Sequence, residues 1–179
     1  MRIIAGKWKS RRIAAAAGRG VRPTTDRVRE AWMSILAGRI EGASALDLFA
    51  GSGALGLEAL SRGAAHVTFV ERSHRAVRVL ERNIRALGAG PDSAVIRGDA
   101  MAHLRGLDPF AYDLALADPP YDREYSSRLV DCYRARPFAR EFWVEHRAAE
   151  PLPPDAVAEQ RRYGDTALTR VRHPGDEVA

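Results

Sequence analysis

Ala45–Ala59, ALDLFAGSGALGLEA, is the stretch whose order decides the fold. Leu46-Asp47-Leu48-Phe49 is an apolar run carrying one acid. It breaks into Gly51-Ser52-Gly53-Ala54-Leu55-Gly56 and resumes as Leu57-Glu58-Ala59-Leu60 at helical spacing. That is a buried strand, a glycine turn and a helix start in succession. Glycine admits positive φ and close backbone approach. The helix start offers unpaired N–H groups and the positive end of a dipole. A G-x-G-x-x-G spacing also occurs as a plain tight connection, so the rest of the chain must supply its context.

Working outward, apolar runs alternate with helical patterns. Strands are expected at Ala45–Phe49, His66–Glu71, Ser93–Arg97, Tyr112–Asp118 and Glu141–His146. Helices are expected at Ala54–Arg62, His74–Leu87, around Met101–Gly106 and at Tyr125–Arg134. Such alternation implies an α/β fold, Rossmann-like, with a mostly parallel doubly wound sheet. After the loop Pro151-Leu152-Pro153-Pro154, the runs Val157–Tyr163 and Ala167–Arg172 flank Gly164-Asp165. They read as an antiparallel hairpin closing one sheet edge. Before the first strand, Val28, Trp32, Ile35 and Leu36 mark an amphipathic helix. Thr24 or Thr25 would cap it after Pro23, and Gly38 would end it. Arg2–Ala5 and Arg11–Ala14 read as a small N-terminal β-hairpin, followed by a glycine-containing linker. The expected organisation is a basic extension, residues 1–22, and one domain, residues 23–179.

Composition narrows the function classes. No apolar run in the 179 residues approaches a membrane span. Met1–Lys7 is too quickly charged for a signal peptide. The single cysteine, Cys132, excludes an internal disulfide framework and a cysteine-cluster metal site. The five histidines show no metal-ligand spacing, and no metal is expected. These features imply a cytoplasmic protein. Net charge is +5, unevenly spread. Residues 1–30 hold nine basic side chains and two acids, and the remainder is slightly acidic. A basic arm with an interleaved aromatic, Trp8, suits a nucleic acid better than a merely solvated tail. Its candidate contacts are Lys7, Trp8, Lys9, Arg11, Arg12, Arg22 and Thr24.

In a doubly wound sheet, ligands bind beyond the carboxyl ends of the strands, where strand order reverses. The first strand ends in Ala50-Gly51-Ser52-Gly53. The second ends in Glu71-Arg72, at the spacing from Gly51 where an acid reaches ribose hydroxyls. The third is followed by Asp99-Ala100. Together these describe a nucleoside pocket. The fourth strand ends in Asp118-Pro119-Pro120-Tyr121, and its expected place is beside the first. The Asp118 carboxylate and Pro119 carbonyl are acceptors suited to an exocyclic amine. The two prolines stiffen the backbone that carries them. Tyr121 offers a ring for a flat base.

Asp118-Pro119-Pro120-Tyr121 with Asp47–Gly53 resembles the amino-methylating S-adenosylmethionine-dependent methyltransferases, which have the class I Rossmann-like fold. Three further stretches resemble the RsmD-type family, which methylates N2 of one guanine in 16S ribosomal RNA. They are Arg2–Trp8, Arg22–Glu30 and Tyr163–Thr166. The resemblance covers nearly the whole chain. It implies S-adenosylmethionine as cofactor, with Asp47, Ala50, Gly51, Ser52 and Gly53 at its methionine end. Glu71 and Arg72 would lie at the ribose, and Asp99 and Ala100 by the adenine. It also implies that Asp118, Pro119, Pro120 and Tyr121 position the target amine. The partner would be 16S rRNA in the small subunit or its assembly intermediate, met by a monomer.

Simpler readings stand beside these. Asp47 could merely bond a turn, and Asp118–Tyr121 could be a structural turn. Arg75, Arg78, Arg82 and Arg85 form a stripe that reads as a solvated helix face. Trp32, Phe142 and Cys132 read as core. The alternatives in function are an adenine-N6 methyltransferase on DNA or RNA and a non-catalytic RNA-binding module. A nicotinamide-dependent oxidoreductase is more distant.

Overall fold

The computed structural model describes residues 1–15, 26–121, 124–173 and 175. Its centre is the parallel strand β1 (Ser44–Leu48), buried on both faces. β1 lies between β2 (His66–Glu71) and β4 (Tyr112–Ala117). With β3 (Ser93–Arg97), β5 (Ala139–Arg147), β6 (Val157–Tyr163) and β7 (Thr166–Val171), the sheet order is β3-β2-β1-β4-β5-β7-β6. The first five strands run parallel, and β7 joins β5 antiparallel. The order reverses between β1 and β4, which opens a crevice at their carboxyl ends.

Side-chain alternation sorts the core into two layers. Ala45, Leu114, Leu116, Trp143 and Leu168 face one side. There they meet α1 (Asp26–Ile35), α2 (Ala54–Ser61) and α3 (His74–Leu87), through Trp32, Leu57 and Leu80. Leu46, Leu48, Ala115, Phe142 and Val144 face α4 (Ala100–Arg105) and α5 (Tyr125–Ala135) on the other side. The expected doubly wound sheet with its closing hairpin is therefore present, and Trp32 and Phe142 are core.

The expected N-terminal hairpin is reduced to one antiparallel bridge, Arg2 to Arg12. The arm is nevertheless part of the body. Ile3, Trp8 and Ile13 enter the core. Glu58 of α2 is fully buried and accepts from Ile4 N (2.8 Å), Ala5 N (2.9 Å) and Arg62 Nε (2.9 Å). Arg29 of α1, also fully buried, donates to the Arg2 carbonyl at 2.6 Å. Gly6 has φ +81, and a Cβ there would lie 1.8 Å from the Ser61 carbonyl oxygen. That oxygen accepts from Lys7 N at 2.7 Å. The junction expected at residues 22–23 lies outside the described residues. Among the described residues, no helix is long and apolar enough to cross a membrane.

Candidate active site at the carboxyl ends of the central strands

Backbone geometry at the end of β1 is tense. Phe49 has φ +61, an unfavourable value for a side chain of its size, and it is followed by Gly51 at +56 and Gly53 at +81. Phe49 is held by an edge-on contact with Tyr125 at 5.0 Å. The three motif glycines have different jobs. A Cβ on Gly53 would strike Leu80 Cδ1 at 2.3 Å, and one on Gly56 would strike Phe69 and Asp47. Gly53 thus lets α3 pack against the loop, and Gly56 lets α2 pack against β1 and β2. Of the three, Gly51 alone has open space where a Cβ would sit.

Acids hold this loop by its N–H groups. Asp47 Oδ2 accepts from Gly56 N at 2.9 Å, near the start of α2. Glu71 Oε2 accepts from Gly51 N at 2.8 Å and its Oε1 from Ser73 N at 2.6 Å. Asn83 Nδ2 of α3 donates to the Ser52 carbonyl at 2.9 Å and also to that of Ala14, so one buried amide joins loop and arm. Asp47 is buried, and burial pushes its carboxyl up to about 7. The Gly56 N–H opposes that rise, and the charges of Asp118 and Glu71 add to it. Asp99 caps α4 by accepting from Ala102 N at 2.9 Å, beside the buried Ala100. Ala50, Ser52 and Gly53 are buried, whereas Arg72 is exposed at the rim.

Across the crevice, Leu48 pairs with Ala117, which brings Asp118-Pro119-Pro120-Tyr121 level with the glycine loop. Asp118 is half-buried, Pro119 buried and Pro120 exposed. Tyr121 donates its hydroxyl to Glu145 Oε1 at 2.7 Å and lies 3.1 Å from Thr166 Oγ1. Burial raises the Tyr121 pKa; the Thr166 bond opposes that, and Glu145 adds to it. The Arg147 guanidinium lies over its ring, 5.4 Å from the centroid.

The arm residues occupy a different surface. Lys7, Lys9, Arg11 and Arg12 are exposed. Lys7 pairs with Asp92 at 3.6 Å and lies over the Trp8 ring. Trp8 is only 9% exposed, so its ring serves the core and not as an open stacking platform. Arg22 and Thr24 lie outside the described residues. Sequence reasoning missed Glu145, Thr166, Asn83 and Glu58. An acid among the apolar residues of strand Glu141–His146 was the available signal for Glu145. Glu58 within Leu57–Leu60 reads as an ordinary helix-surface residue. No group of three or more metal-capable side chains occurs among the described residues.

Residues 1–169 match the family model described as Conserved hypothetical protein 95. The chain is 34% identical over 175 residues to the putative rRNA methyltransferase YlbH of Bacillus subtilis, covering 95% of this chain and 91% of that protein. It is 43% identical over 123 residues to ribosomal RNA small subunit methyltransferase D of Escherichia coli K12, covering 69% of this chain and 61% of that one. A solved structure described as putative methyltransferase yhhF from Escherichia coli superposes with a TM-score of 0.82 at 33% identity. It covers 97% of this chain and 98% of its own.

Proposed function

Since the chain belongs to the family of Conserved hypothetical protein 95, the RsmD family of rRNA methyltransferases, we propose that it methylates the exocyclic N2 amine of a guanine in 16S ribosomal RNA. The methyl donor is S-adenosylmethionine. The enzyme acts in the cytoplasm as a monomer, on the small subunit or its assembly intermediate. Residues 1–22 form its basic extension and 23–179 its catalytic domain. The observation that supports this reading is the register of β1 and β4, which sets Asp118–Tyr121 level with the glycine loop.

The residues of the first half suit the donor. Gly51 leaves open space where a Cβ would sit, Glu71 stands at the end of β2, and Asp47 is a buried acid close to two other carboxylates. Such an acid-rich site favours a cationic ligand. Asp47 and Ala50–Gly53 would hold the methionine end, Glu71 and Arg72 the ribose, and Asp99 with Ala100 the adenine. When bound, S-adenosylmethionine would supply an electrophilic methyl on a positively charged sulfur, which keeps the bonding pair and leaves as a neutral thioether.

The chain's own work is to prepare the amine. An aromatic amine is a poor nucleophile because its lone pair is delocalised into the ring. The Asp118 carboxylate and the Pro119 carbonyl accept hydrogen bonds from its two N–H groups, draw them from the ring plane and localise the pair. Tyr121 fixes the plane of the base, and Pro120 stiffens the turn. As the nitrogen takes the methyl, one proton passes to Asp118 or to water. Alignment supplies most of the rate, without a strong base.

The test is transfer of labelled methyl to small subunits lacking the mark, with the product mapped by mass spectrometry. One N2-methylguanine is expected. A methylated adenine, or no transfer by a chain that binds the cofactor, would overturn the reading.

A further inference from the structure

Beyond the arm, the exposed face of α3 carries Arg75, Arg78, Arg82 and Arg85. Taken alone, this stripe is an ordinary solvated face. Its neighbours change that. The arm docks along the same helix: Arg11 donates to the Ala86 carbonyl, and Ala14 bonds Asn83 in both directions, at 2.8 and 2.9 Å. Lys7 pairs with Asp92 just beyond the helix. At its other end α3 starts beside the mouth, where Glu71 binds Ser73 N and Arg72 is exposed. The cations of the arm and the stripe of α3 therefore adjoin. The helix, about 21 Å long, carries the charge from the arm to the mouth.

No ion pair among the described residues involves Lys9, Arg11, Arg12, Arg72, Arg75, Arg78, Arg82 or Arg85. On α3 four arginines face a single acid, Glu81, which is half-buried in the groove toward Val95 of β3. Arg78 and Arg82 are like charges four residues apart, an arrangement that costs helix stability.

We infer that α3 and the arm form one polyanion-binding surface, which grips the phosphate backbone of the substrate RNA and leads it to the mouth. This rests on the rRNA methyltransferase reading given above. The occupant is an RNA backbone because the surface is a row of exposed cations at the spacing of helical turns, with no apolar centre.

The test compares binding of small-subunit RNA by the parent chain and by R75Q/R78Q/R82Q/R85Q over a salt series. Neutralising four phosphate contacts lowers the slope of log K against log salt by about 3. All four side chains are exposed, so the variant folds, which its circular dichroism and unchanged cofactor affinity would verify. K9Q/R11Q/R12Q lowers the slope by about 2, and combining the two sets adds the effects. R39Q/R105Q/R136Q/R140Q, with the same charge change elsewhere on the surface, leaves the slope nearly unchanged. An unaltered slope in the α3 variant, or an equal fall in this control, would overturn the surface. A parent chain that binds no RNA would overturn the function reading as well, which keeps the two failures apart.

Discussion

The ends of β1 and β4 face each other across the crevice, yet they are secured in different ways. At β1 the anchors are local: Asp47 holds Gly56, nine residues away, and Glu71 holds Gly51, 20 residues away. At β4 they are distant: Tyr121 is tied to Glu145 and Thr166, 24 and 45 residues on. Asp47 and Glu71 lie within one β-α-β unit, with Asn83 of α3 and Tyr125 of α5 adding support to the same loop. The β4 side is complete only when β7 has paired with β5, setting Thr166 opposite Arg147. The C-terminal hairpin thus does more than cover a sheet edge. It positions the Tyr121 ring, which the proposed mechanism sets against the base.

The sharpest way to break this contrast is Asp118→Ala. It should lower kcat by about 10²- to 10⁴-fold, the range for a positioned acid–base group. Cofactor affinity, measured by calorimetry, should stay within a few-fold of the parent. Full activity would remove Asp118 from the mechanism. Equal loss of cofactor binding would show that the halves are not separate. Glu71→Gln probes the other side. It weakens two backbone bonds to a charged acceptor, worth about 1.5–3 kcal/mol each. Cofactor affinity should fall about 10- to 100-fold, with RNA affinity unchanged.

A subtler outcome belongs to the distant anchors. Tyr121→Phe removes the hydroxyl from Glu145 and Thr166, and Glu145→Gln weakens the same bond. Each should lower kcat/KM for RNA about five- to tenfold, near the worth of one hydrogen bond. The double variant should lose little more than either single variant. Additive losses would mean that Glu145 acts on packing and not through Tyr121.

The same contrast explains what could be read from the sequence. His66–Glu71, His74–Leu87 and Ser93–Arg97 match their expected bounds because each is an apolar pattern between turn signals. β5 extends beyond the expected Glu141–His146, because Ala139 pairs with Tyr112 and Arg147 with Thr166. Those pairings are tertiary and leave no local pattern. Asp47, Glu71 and the glycines were legible because their partners are neighbours in sequence. The motif did not announce one thing: Gly53 and Gly56 also make room for Leu80, Phe69 and Asp47, whereas the position of a Cβ on Gly51 is open. The arm was legible as charge but not as structure. Its anchors, Glu58 and Arg29, are charged residues whose full burial no spacing announces. Deleting residues 1–20 would therefore expose core and remove the two backbone donors that the arm gives the buried Glu58. Substitution of the exposed cations is the cleaner probe of RNA binding.

The smallest predicted effect joins the two halves. Asp47 lies on β1, but its carboxyl is raised from 3.8 to about 7 chiefly by burial, with Asp118 and Glu71 contributing. The folded state therefore holds this proton more tightly than the unfolded chain does. The stability so gained is complete below about pH 4 and is lost as pH rises through about 7. Asp47→Asn does not titrate and keeps an oxygen for the Gly56 N–H. Its melting temperature, relative to the parent, should rise between pH 5 and pH 8. Parallel curves would mean that Asp47 is already ionised at pH 5. A cationic cofactor favours the ionised form, so the parent's affinity for S-adenosylmethionine should improve over the same range and that of Asp47→Asn should not. Asp118→Asn removes one like charge while keeping the volume of the side chain. The midpoint of the parent's stability curve should then move to lower pH by a fraction of a unit. An unmoved midpoint would mean that the two strand ends, built separately, are also electrostatically independent.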